Sequence, residues 1–87
     1  MKADKIAIIG AGLIGRSWAV LFLRSEYYVT IYDIDSNQIE SAVKAIKDKI
    51  YQLAFEGLLR EHNPRVIYQR LDWSSDLETT LEGAILV

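Results

Sequence analysis

The chain has 87 residues, 51% apolar and 25% charged, which is the composition of a folded domain and excludes a disordered or fibrous chain. Its net charge of −2, with acidic and basic residues mixed, leaves no cationic stripe on which a nucleic-acid backbone could release counterions. With no cysteine a disulfide framework cannot be built, and with one histidine, His62, an all-protein zinc site is not expected.

A chain this short buries only about 60 to 65% of its unfolded surface, so one domain spanning residues 1–87 is the expected count. The longest apolar-rich stretch, Trp18 to Leu23, is far too short to span a bilayer. Met1-Lys2-Ala3-Asp4-Lys5 leads straight into a strand pattern rather than a signal-peptide core, so no membrane partner and a cytoplasmic location are expected.

Ile6-Ala7-Ile8-Ile9, bounded by charge and then glycine, reads as a first strand covered on both faces. From Leu13 to about Leu23 the apolar residues are dense enough to predict a helix packed deeply on a sheet, with Trp18 in the core and Ser25-Glu26 ending it. Tyr28-Val29-Thr30-Ile31-Tyr32 is a second strand carrying Asp33 at its carboxyl end, and Tyr27 and Tyr28 read as packing residues. Asp35 or Ser36 caps the next helix, where Ile39, Val43, Ile46, Ile50 and Leu53 recur at intervals of four, three, four and three. That stripe predicts about five turns, with Lys44, Lys47, Asp48 and Lys49 on solvated faces and Gly57 at the end.

Leu58 to His62 reads as a further turn, and Asn63 is held extended by Pro64. Val66 to Leu71 is expected as a third strand, followed by Trp73 as a packing residue. Ser75-Asp76-Leu77-Glu78 has the spacing of a capping box for a short helix through about Leu81. Ala84-Ile85-Leu86-Val87 is expected as a fourth strand. Alternating strands and helices joined by right-handed crossovers predict an α/β fold. Its parallel sheet, in the order 3-2-1-4, would be the first half of a doubly wound, Rossmann-type architecture.

Gly10-Ala11-Gly12-Leu13-Ile14-Gly15 matches G-x-G-x-x-G between a strand and a helix, and Asp33 follows 18 residues after Gly15 at the tip of the next strand. In that context Gly10 permits the turn, Gly12 lets the backbone approach a pyrophosphate, and Gly15 lets the helix sit close to the strand. The phosphates would lie on the helix N-terminus, at the backbone of Gly12, Leu13, Ile14 and Gly15. Asp33 can accept from both adenine-ribose hydroxyls, and its charge opposes a 2′-phosphate, so NAD is the expected cofactor rather than NADP. Asp35 reads as a cap.

At Gly10 to Phe22, GAGLIGRSWAVLF, and Tyr32 to Ile39, YDIDSNQI, the sequence resembles the NAD-binding domain of the 3-hydroxyacyl-CoA dehydrogenase family. Asp76 to Val87, DLETTLEGAILV, is similar to a later stretch of that domain, and Arg16-Ser17-Trp18-Ala19 is most similar to the lambda-crystallin branch. The resemblance implies a cytosolic, homodimeric oxidoreductase that uses NAD(H) on a small hydroxyacid or hydroxyacyl substrate, of the L-gulonate or 3-hydroxyacyl-CoA type. It carries over Gly10, Gly12, Gly15 and Asp33 as cofactor residues. It implies that the catalytic histidine, its glutamate and a helical C-terminal domain lie beyond Val87, so no catalytic residue is assigned here. His62 is read as a loop histidine and the chain as an N-terminal piece of such an enzyme. Competing readings are a stand-alone NAD-sensing module and a structural, crystallin-like module.

Overall fold

Short β-branched and aromatic runs make the strands, and the longer apolar periodicities make the helices that cover them. The computed structural model describes residues 4–61 and 63–86. In chain order the elements are β1 (Lys5–Ile9), α1 (Leu13–Arg24), β2 (Tyr28–Tyr32), α2 (Ser36–Phe55), α3 (Pro64–Tyr68), β3 (Leu71–Ser74), α4 (Leu77–Leu81) and β4 (Ile85–Leu86). Every strand pairing is parallel, and the sheet order is β3-β2-β1-β4.

Parallel pairing demands crossovers, and right-handed ones from β1 to β2 to β3 put α1 and α2 together on one face. Ile6 and Ile8 point to that face and meet Ala19, Leu23, Ala42, Ile46, Ile50 and Leu53 in the main core. Ala7 and its register partner Thr30 alternate to the other face. There α4, which packs on β2 and β3, brings the fully buried Thr80. The α2 stripe is buried as its spacing predicts, with Val43 at the margin and Ala42 inside the seam.

Three local expectations are overturned. Val66-Ile67-Tyr68 is helical, not strand, and β3 begins only at Leu71. The Asn63 carboxamide accepts from the Arg65 N–H at 3.0 Å and Pro64 takes the first helical position, where its missing N–H costs nothing. That start signal, with Ile67 buried beneath α2, outweighs the β propensity of the segment. Residues 58–61 form no helical turn. Instead the Gly57 and Leu58 N–H groups close on the Ala54 and Leu53 carbonyls around a left-handed Gly57, which ends the backbone run of α2. The cap of α4 is Asp76 rather than Ser75, because the Asp76 carboxylate takes both the Glu78 N–H and the Thr79 hydroxyl.

Helix α1 differs from its expectation in depth. Ala19 and Leu23 are buried on the sheet side, whereas Leu13, Ile14, Trp18 and Leu21 are exposed. Trp18 is therefore a surface residue stacked on Phe22 at 5.7 Å, not core, because only one side of a helix can face a single sheet. Trp73 and Tyr28 are likewise about half exposed, at the rim of the sheet rather than packed within it. Lys47 departs from a purely solvated role: its ammonium lies 5.1 Å from the Tyr68 ring centroid and 5.8 Å from that of Trp73. His62 and Val87 lie outside the described residues.

Candidate functional site

The site is built where β1 stops and α1 starts. The Gly10 N–H donates to the Tyr32 carbonyl at 2.8 Å, carrying the β1–β2 ladder one step beyond the strand. At Gly10 the chain then turns with φ +105°, a conformation that L side chains rarely adopt. A Cβ at Gly15 would overlap the Gly10 carbonyl oxygen and approach Ile8 Cγ2 at 3.3 Å, so hydrogen alone permits this contact between α1 and the turn.

Gly12 behaves differently. It is the N-cap of α1 with ordinary extended angles, φ −74° and ψ −172°, and a Cβ there would meet nothing within 4 Å. No side chain caps the first turn of α1, and that turn has no acidic residue. Its N–H groups and the positive end of the helix dipole therefore face outwards past an open glycine. The Leu13 and Ile14 side chains are 80% and 77% exposed beside it. A hollow of about 640 Å³ lined by Ile8, Ile9, Gly10, Gly12, Leu13, Ile14, Gly15 and Trp18 opens at this point.

Asp33 stands at the tip of β2 beside the loop. Its Oδ2 accepts from the Ala11 N–H at 3.0 Å and its Oδ1 from the Asp35 N–H at 2.9 Å. These two backbone donors, Ala11 first, hold its carboxyl below the usual value of 3.8 and keep it ionised at neutral pH. Each oxygen retains a second acceptor site. Asp35 is occupied otherwise: its Oδ1 takes the Asn37 N–H at 2.9 Å as the cap of α2.

The six residues singled out from the sequence, Gly10, Gly12, Leu13, Ile14, Gly15 and Asp33, thus converge on one end of the sheet. Sequence reasoning missed Arg16. Its Nε donates to the Ala11 carbonyl at 3.0 Å, and its guanidinium also bonds Gln38 Oε1 at 3.2 Å and Ser41 Oγ at 3.1 Å. An arginine directly after the third glycine was the available signal, since one turn of helix carries its side chain back over the loop. A separate, larger hollow of about 1250 Å³ runs along α2 to the end of β3, where Lys44, Lys47 and Trp73 are among its walls. Among the described residues no cluster of His, Cys, Asp and Glu could hold a metal ion, and no helix is long and apolar enough to cross a membrane.

Comparison with known proteins places this geometry among relatives. Residues 5–87 match the family model described as 3-hydroxyacyl-CoA dehydrogenase, NAD binding domain. The lambda-crystallin homolog of Bos taurus is 34% identical over 83 residues, covering 94% of this chain and 26% of that protein. The probable 3-hydroxybutyryl-CoA dehydrogenase of Bacillus subtilis is 25% identical over 87 residues, covering all of this chain and 30% of its own. The crystal structure of 3-hydroxybutyryl-CoA dehydrogenase from Escherichia coli superposes with a TM-score of 0.84 at 20% identity, over 99% of this chain and 18% of that one. The chain spans about a quarter of the length of the bovine relative it matches.

Proposed function

The chain belongs to the 3-hydroxyacyl-CoA dehydrogenase family through its NAD-binding domain, and we propose that Gly10, Gly12, Leu13, Ile14, Gly15 and Asp33 hold the pyrophosphate and adenine ribose of NAD. The observation that carries this reading is the pairing of the uncapped N-terminus of α1, open at Gly12, with an ionised Asp33 at the tip of β2. These residues fit the group: the outward N–H donors suit two phosphates, and the carboxylate suits two hydroxyls. NAD, when bound, supplies the hydride acceptor for oxidation of a hydroxyl to a ketone. The residues here bind and orient it.

On this reading residues 1–87 are the start of a cofactor domain, and their four-strand sheet is the first half of a doubly wound one. The complete protein oxidises a small hydroxyacid or hydroxyacyl substrate as a cytoplasmic homodimer. Turnover needs a base and a substrate-binding domain that these residues do not supply. The family match favours this reading over a stand-alone sensing or structural module.

Titration of the chain with NADH and with NADPH tests it. NADH is expected to bind at least about tenfold more tightly, since Asp33 stays charged and a 2′-phosphate would lie against it. Equal binding of the two would remove Asp33 from the ribose site, and a folded chain that binds neither would overturn the cofactor reading.

A further inference from the structure

Ala11 is held on both sides, through the two peptide groups that flank its Cα. Its N–H donates to Asp33 at the end of β2, and its carbonyl accepts from Arg16 Nε in the first turn of α1. Ala11 itself has no exposed surface, so neither bond is traded freely for water. The far side of the guanidinium reaches Gln38 and Ser41 on α2. One planar fork therefore joins the glycine loop to both helices of the main layer, a task that a lysine ammonium on a flexible stem does not reproduce.

We propose that Arg16 is a positioning residue for the dinucleotide site, fixing the Ala11–Gly12 peptide while Asp33 fixes the Gly10–Ala11 one, so that the loop presents the N-terminus of α1 in the shape a pyrophosphate needs. The role rests on the cofactor reading above and adds to it a part of the chain outside the glycine motif. Gly10 and Gly12 make this loop the least restrained backbone in the site, because neither carries a side chain to anchor it. A loop that must be ordered on binding weakens the ligand by that ordering, and one ordered beforehand does not. Arg16 and Asp33 supply the restraint that the glycines cannot. Because the N–H of the Gly10–Ala11 peptide and the carbonyl of the Ala11–Gly12 peptide are both taken, neither plane flanking Ala11 can rotate without breaking a charge-assisted bond.

The discriminating experiment combines amide hydrogen exchange on the ligand-free chain with NADH titration, for wild type, Arg16→Met and Arg16→Lys. Met keeps the apolar stem without the guanidinium, and Lys keeps the charge without the fork. Exchange at Ala11 is expected to rise about tenfold in Arg16→Met while Val29 to Ile31 in β2 stay protected, and NADH affinity to fall by about the same factor. Arg16→Lys is expected to recover little of either, whereas a merely charged or space-filling role would be rescued by it. Should the Met variant fail to fold, Gln38→Ala with Ser41→Ala frees the far end of the fork. Exchange at Ala11 is then expected to rise by a smaller factor, and no rise would overturn the proposal. Unchanged exchange at Ala11 in Arg16→Met, or a rise spread evenly over the sheet, would also overturn it. NADH binding that survives Arg16→Met overturns the role of Arg16 alone, whereas a wild-type chain that binds no NADH overturns the site reading beneath it.

Discussion

The turn from β1 into α1 and the connection from α2 to β3 both reverse the chain across one face of the sheet, by opposite means. Between Gly10 and Gly15 direction is set by side chains that are absent: a left-handed-side φ at Gly10 and a hydrogen at Gly15 against a backbone carbonyl. Between Gly57 and Leu71 it is set mostly by side chains that are present, with Asn63 capping the five-residue α3. A turn made by absence leaves bare backbone N–H groups for a ligand, whereas a turn made by caps consumes them. The same comparison separates Gly12 from Gly15 inside one motif, since open space surrounds the first and backbone abuts the second.

Substitutions should expose this contrast in order of size. Gly15→Ala is expected to cost about 3 kcal/mol in a urea melt, because neither the Gly10 carbonyl nor the α1 backbone can yield as a flexible side chain would. Asn63→Ala, which removes one exposed cap, is expected to cost about 1 kcal/mol and to fray α3 without touching the glycine loop. A loss at Asn63 as large as that at Gly15 would erase the distinction between the two kinds of turn.

The smallest effect is the response to acid. Asp33 is held low chiefly by the Ala11 N–H, and Asp76 by the Thr79 hydroxyl with help from backbone N–H groups, both below 3.8 in the folded chain. What each contributes is complete above the unfolded value and fades as pH falls through the lower folded one. The protection of the Ala11 amide, its exchange relative to the intrinsic rate at each pH, is therefore expected to stay flat from neutral pH to about 4 and to fall below it, and Asp33→Asn should abolish that pH dependence. A loss of protection that begins near pH 6 would assign the loop to another group.

The elements from β1 to the end of α2 were legible because each signal there is local and agrees with its neighbours. Apolar runs mark β1 and β2, the four-three spacing of Ile39 to Leu53 marks the buried face of α2, and the glycines mark the turn. The connection was misread because two local signals conflict. Val66-Ile67-Tyr68 favours a strand, Asn63-Pro64 starts a helix, and burial of Ile67 decides between them. Apolar density in α1 did not reveal which residues face outwards, so Trp18 was misplaced although the helix was not. The proposed site residues could be named from type and spacing, but the bonds that join Ala11 to Asp33 and Arg16 could not, because they depend on how the folded loop meets β2 and α1.

The most direct test of the account is Gly12→Val, followed by both thermal melting and NADH titration. The open space and ordinary angles at Gly12 predict a melting point within about 4 °C of wild type, together with loss of NADH binding as the new side chain occupies the pyrophosphate position. Undiminished NADH binding by the folded variant would contradict the claim that the ligand lies against the N-terminus of α1.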